Sequence, residues 1–170
     1  MAMNRILAIV PFGPCDADVL AHLKSELAIY QLPVKVLEPR PIPHEAYHKL
    51  RSQYESVAFI SQLAGVDCVR ALGITEVDLF APRLNFVFGQ AQIGGKCCVI
   101  STARLKLGVE RAKYMLRTVK EAVHELGHTF GLEHCPDREC VMHFSNCIED
   151  TDIKSHRYCP ECNRMLNHVI

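Results

Sequence analysis

The chain carries no net charge: 19 Lys and Arg stand against 19 Asp and Glu in 170 residues, with no run of like sign. A dedicated nucleic-acid surface needs clustered Lys and Arg, so no nucleic-acid partner is expected. Long apolar runs are lacking too. The N-terminal MAMNRILAIVPFG has one basic residue and only a short apolar stretch, Ile6 to Val10. Such a stretch is too short for a signal-peptide core and far too short to span a bilayer. No membrane contact is expected, and the cytoplasm is the default location. Internal repeats, low-complexity segments and linkers are absent as well. Residues 1–170 therefore read as a single domain, with an N-terminal subdomain 1–131 and a C-terminal subdomain 132–170, and as a monomer. Half the residues are apolar (49%), enough to build a core without staples.

Nine cysteines is a high and odd number. A chain of this size without an export signal does not need a disulfide framework. Cys15, Cys68, Cys97, Cys98 and Cys147 are scattered and read as small buried hydrophobes. The other four fall near the C-terminus at metal-ligand spacings.

Residues 5–11 read as a buried strand, 16–30 as a helix with Leu20, Leu23, Leu27 and Tyr30 on one face, and 34–37 as a second strand. Strand, helix, strand with short connections predicts a parallel βαβ unit. Pro39, Pro41 and Pro43 make EPRPIPHEAY a loop. A second helix is predicted over 47–63, then a strand centred on ALGITEVDLF. Two β-rich segments, 85–92 and 96–101, flank Gly94-Gly95 and predict an antiparallel hairpin, hence one odd strand at an edge of the sheet. From 109 to 129 the pattern is helical, with Leu116, Val119, Val123, Leu126 and Phe130 along one side. After Gly131 the periodicity stops.

The chemistry concentrates in HELGHTFGLEHC, residues 124–135. His124 and His128 lie four residues apart on the predicted helix, so both rings leave one face, one turn apart. That spacing lets two imidazoles reach one zinc ion. Glu125 can point to the open side of such a metal and accept a proton from its water. Gly131 can end the helix with a left-handed residue and send the chain back, bringing His134 in as a third ligand. Three nitrogens leave a fourth position for water, as in a catalytic site. His22, His44, His48, His156 and His168 have no partner at ligand spacing and read as surface groups; His143 is left open.

Cys135 and Cys140 form one pair, Cys159 and Cys162 a second, with residues 141–158 between them. This fits a closed four-thiolate structural zinc site. A dithiol redox role for CPEC is the weaker alternative, because that chemistry favours a thiol at a helix start after an early strand. A site that recruits Cys147 is another. In the main reading His134 is held from one side by the catalytic ion and Cys135 from the other by the second.

Both motifs on one short chain, joined at His134–Cys135, resemble the archaemetzincins, a branch of the metzincin zinc peptidases. The resemblance is most specific over 124–162 and looser over 5–105. It implies an α/β (α+β) metzincin-like catalytic domain: a twisted mixed sheet with one antiparallel edge strand, an active-site helix, a Met-turn and a zinc-bound Cys-rich C-terminal part. It further implies that Met142 is the Met-turn residue beneath the metal. It places an edge strand bordering the cleft within 85–92, where an extended peptide could pair. Some metzincins have a tyrosine two residues after the turn methionine; here the residue is Phe144. With the first strand at residue 5, no pro-segment is expected.

The resulting expectation is a zinc-dependent peptidase acting on peptide or protein substrates. It would hold two Zn²⁺ per chain, one on His124, His128 and His134 and one on Cys135, Cys140, Cys159 and Cys162. Glu125 would be the general base for a zinc-activated water. The alternatives are a catalytically inert zinc protein that binds peptides or proteins, and a zinc-ribbon-like contact module.

Overall fold

The computed structural model describes residues 4–170. Leu7–Phe12 (β1) is apolar and buried at every position, as a strand covered on both faces must be. Asp16 then caps the first helix. Its carboxylate accepts from the Asp18 and Val19 N–H groups and starts α1, Ala17–Glu26. A 3₁₀ turn, Leu27–Tyr30, continues it, and Val34–Val36 (β2) returns parallel to β1. The predicted βαβ unit is present.

The helix predicted over 47–63 is only half there. Tyr47–His48 (β3) and Gln53–Glu55 (β4) form an antiparallel hairpin, and the helix (α2) spans Ser56–Leu63. Leu50 is 94% exposed at the hairpin tip. A cross-strand Tyr47–Tyr54 pair, with ring centroids 4.9 Å apart, favours the strands instead. The strand read from ALGITEVDLF is likewise two strands, Arg70–Thr75 (β5) and Leu79–Phe80 (β6). Asp78 breaks it: the carboxylate binds Arg104 through two 2.8 Å bonds and Gln53 through one of 2.9 Å. Beyond it β6 joins β4 in parallel, giving a small second sheet of order β3-β4-β6 that the sequence pattern did not announce.

The hairpin around Gly94-Gly95 forms from Gly89–Ala91 (β7) and Cys97–Ser101 (β8). It is shorter than predicted, because Val87 bridges to Leu79 of the second sheet instead of extending the ladder. The main sheet has the order β2-β1-β5-β8-β7; all pairs are parallel except β7–β8. The mixed sheet with one antiparallel edge strand is thus as expected.

The long helix α3, Arg111–Thr129, packs on β8, β7 and α1. Its apolar stripe differs from the predicted one at Leu116, which is 42% exposed. From Arg117 to Thr129 every residue is buried, charged ones included. The sheet covers one side and residues 132–170 cover the other. That segment contains two short helices the lost periodicity did not foretell, Ile148–Ile153 (α4) and Pro160–Asn167 (α5). One apolar cluster runs from Leu7 and Leu72 through Val123 to Met142 and Leu166, so both parts of the chain share it.

Charge docks α4 on α3. Arg117 donates from Nε and Nη2 to Asp152, both at 2.7 Å, and Lys120 Nζ donates to the Thr151 and Asp152 carbonyls at 2.9 and 3.1 Å. The Arg117 bonds, aided by Lys113, pull the Asp152 carboxyl down to about 2. A depressed carboxyl contributes stability that is complete above its ordinary value of 3.8 and fades as pH falls toward about 2. Asp152→Asn should therefore cost about 2–4 kcal/mol by leaving buried Arg117 unpaired. In urea titrations the gap from wild type should stay constant between about pH 8 and about pH 5. A gap that closes across that range would contradict the assignment.

Candidate metal centres and cleft

His124 and His128 leave the same face of α3, and each ring is oriented from behind. His124 Nδ1 donates to the Val141 carbonyl at 2.8 Å, and His128 Nδ1 donates to the Leu132 carbonyl at 2.7 Å. With the proton on Nδ1 in both rings, both Nε2 atoms present lone pairs. These two atoms approach to 3.1 Å. Two lone pairs facing at that distance repel unless a cation lies between them. Tetrahedral zinc with bonds of about 2.1 Å would set its nitrogens about 3.4 Å apart, so the residues present fit the ion.

The third histidine is delivered by the way α3 ends. Gly131 takes a φ of +92°, a value that favours glycine. The Gly131 N–H donates to the His128 carbonyl at 2.9 Å and the Leu132 N–H to the Gly127 carbonyl at 3.0 Å, the paired bonds of a Schellman terminus. The reversed chain carries Leu132, whose carbonyl orients His128, and then exposed His134. The His134 ring lies 5.4 Å from that of His124 and 4.8 Å from that of His128. One ligand atom from each of the three lies within 4.8 Å of the others. Burial lowers the proton affinity of all three rings, most strongly at His124, which keeps them neutral and able to bind metal.

Met142 is fully buried and lies against Gly127 of α3. The approach is possible because residue 127 is glycine: a Cβ there would sit 2.5 Å from Met142 Sδ and 3.1 Å from Tyr158 Oη. The turn that carries Met142 also supplies the Val141 carbonyl to His124, and the Met142 carbonyl accepts from the Cys135 N–H at 3.0 Å. Phe144 packs against His134 with ring centroids 4.9 Å apart. His143, left open by the sequence, donates from Nδ1 to the Cys135 carbonyl at 2.9 Å.

Cys135, Cys140, Cys159 and Cys162 form a second group, their Sγ atoms all within 4.8 Å of one another. Cys135 and Cys159 are 3.8 Å apart, the separation that zinc–sulfur bonds of about 2.3 Å would impose. Backbone N–H groups aim at these sulfurs: Met142 and Cys159 at Cys140 Sγ (3.4 and 3.3 Å), and Cys162 at Cys159 Sγ (3.5 Å). Such donors favour thiolates, the metal-binding form. All nine cysteines are unpaired. Cys68, Cys97 and Cys98 are buried as expected, whereas Cys147 is exposed at the start of α4, outside the four-sulfur group.

The three histidines open into a cleft of about 670 Å³. Gly89, Gln90 and Ala91 of β7 form one wall, and Phe144, Ser145 and Asn146 part of another. Glu125 faces it from α3. Burial, then the neighbouring Glu121 carboxylate, raise the Glu125 carboxyl well above the usual range, and Lys154 opposes them. Glu121 and Lys154 also line the cleft. The sequence reading missed both: Glu121 shares the helix face of Glu125, which a helical projection could have flagged, but Lys154 carries no local signal.

Residues 26–168 match the model of peptidase family M54. The archaemetzincin of Methanopyrus kandleri is 44% identical over 166 residues, 94% of each chain, and that of Thermococcus kodakarensis 46% over 177 residues, 95% of each. The crystal structure of the Methanopyrus protein covers 97% of this chain and 95% of its own, with a TM-score of 0.88. The chain belongs to peptidase family M54 and is a zinc metallopeptidase. The archaemetzincin resemblance read from the two motifs holds along nearly the full chain, including the N-terminal half where it was looser. No helix among the described residues is long and apolar enough to cross a membrane.

Gly127→Ala tests the fit between α3 and the Met142 turn. Alanine should favour a helix by about 1 kcal/mol. Displacing Met142 should outweigh this, for a net loss of about 1–3 kcal/mol. A variant that melts above wild type would show that the turn has slack.

Proposed function

We propose that His124, His128 and His134 hold the catalytic zinc, that Glu125 is the general base for peptide hydrolysis, and that the four cysteines hold a structural zinc. The observation that carries this is the pair of unprotonated Nε2 atoms 3.1 Å apart, with the Glu125 carboxylate beside them at the cleft. Zinc bound there would supply a Lewis acid that polarises the scissile carbonyl and acidifies water.

The chain's own residues do the rest. A dication beside Glu125 would counter the burial that raises its carboxyl, leaving an ionised base in a largely dry site. Glu125 then takes a proton from the attacking water and can return it to the leaving amine. Gly89 of β7 leaves room for the carboxylate: a Cβ there would fall 2.6 Å from Glu125 Cγ and 2.7 Å from Oε1. Among the described residues, Gly89–Ala91 is an edge strand paired with β8 alone. An extended peptide laid along it would pass its backbone in front of Glu125, by strand addition. Phe144 has no hydroxyl to offer, so no side chain at that position assists the oxyanion.

Glu125→Gln should keep two zinc ions per chain, counted by native mass spectrometry, and lower cleavage of a mixed peptide library by at least about 100-fold. Unchanged cleavage would remove Glu125 from the role. A wild-type chain that holds both ions and retains peptides yet cuts none would favour the inert binding alternative. Cys162→Ser should cost the four-sulfur ion and, through the His134–Cys135 junction, weaken the three-histidine site about 10-fold. Unaltered affinity there in a chelator competition would show that the two centres are independent.

A further inference from the structure

Lys154 follows α4 directly and is completely buried, as is its partner Glu121 on α3. Lys154 Nζ lies 3.1 Å from Glu121 Oε1, and Thr151 Oγ1 donates to the same oxygen at 3.2 Å. The ammonium is also 3.5 Å from the His143 carbonyl and 3.5 Å from His124 Nδ1. The Nδ1 proton already goes to Val141, so Lys154 makes no hydrogen bond to the ring and instead blocks the space behind it. The segment it begins runs beside the Met142 turn: the Ser155 N–H donates to the Glu139 carbonyl at 2.8 Å, and the Val141 N–H to the Arg157 carbonyl at 2.9 Å. Lys154 thus sits where α3, α4 and the Met142 turn meet, one side chain behind the first histidine.

Stability does not account for this pair. Desolvating two charges costs about as much as their attraction returns, and well-packed apolar residues of similar volume are often equal or better. An ion pair does differ from apolar packing in direction. It fixes which groups meet and in what register, whereas apolar contacts tolerate sliding. The residues it fixes here are the ones that set the His124 ring and the carbonyl that orients it.

We propose that Lys154 and Glu121 are positioning residues for the three-histidine centre. Their buried pair locks the end of α4 against α3 and so holds the Val141 carbonyl, and through it the His124 imidazole, at the metal-binding angle. This rests on the zinc assignment given under the proposed function.

Two variants separate positioning from stability. Glu121→Leu combined with Lys154→Met removes the pair and keeps the volume. It should melt within a few degrees of wild type and keep the four-sulfur zinc, yet bind zinc at the histidines about 10–100-fold more weakly in a chelator competition. Glu121→Gln keeps an oxygen for both Lys154 and Thr151 but leaves the ammonium without a counter-charge. It should melt well below wild type while its zinc affinity at the histidines, measured below the transition, stays within about 3-fold. Affinity that simply follows melting temperature across the two variants would overturn the proposal, as would a double variant with wild-type affinity. A wild-type chain that binds zinc only at the cysteines would overturn the zinc assignment itself, and this inference with it.

Discussion

The enclosure of α3 on both sides governs the rest of the structure. A helix on a sheet normally shows its polar face to water. Here Arg117, Lys120, Glu121, His124 and His128 occupy the face turned from the apolar stripe, and residues 132–170 cover it. Each buried polar group then needs a partner from the covering segment. Asp152 meets Arg117, the Thr151 and Asp152 carbonyls meet Lys120, Lys154 meets Glu121, and the Val141 and Leu132 carbonyls meet the two histidines. The chain following the helix does not merely end the fold. It determines where each side chain of the helix points.

This arrangement also explains why so little of the covering segment is regular. Residues 132–147 form no helix or strand, and the two helices beyond are short. Apolar burial alone would leave such a segment loosely held. Its order comes from directional contacts: the ion pairs on α3, the backbone N–H groups aimed at sulfur, and four thiols gathered closely enough for one ion. A metal held by those thiols would tie affinity for the ion to the order of the segment.

Legibility in the sequence followed the distance over which each feature is encoded. The imidazole pair, the Gly131 reversal and the cysteine pairs are local spacings on one helix or turn, and the structure gathers each where its spacing said. Strands β1, β5 and β8 were legible for a similar reason, since mostly apolar runs have few other homes. The hairpin at 47–55 was not. Its second strand, β4, pairs with β6, which follows Asp78, and Asp78 is held by Arg104 and Gln53 from distant parts of the chain. Leu116 misled because it lies before the enclosed stretch of α3, which begins at Arg117. Lys154 and Glu121 are partners across the fold, and no spacing rule connects them.

The adjacency of His134 and Cys135 follows from the same geometry. Once Gly131 has reversed the chain, His134 must face the helix it left, and in an extended stretch the next side chain faces away. Whatever Cys135 binds therefore lies on the far side of the backbone from the histidines. Its N–H is taken by the Met142 carbonyl and its carbonyl by the His143 ring. The peptide unit beside the third histidine is thus tied down through the Met142 turn and the four-sulfur group together. His134 is the most exposed of the three histidines, so this restraint adds to the packing of Phe144 on its ring. The two ligand groups thus share one stretch of backbone, and what fixes the Cys135 peptide unit also restrains His134.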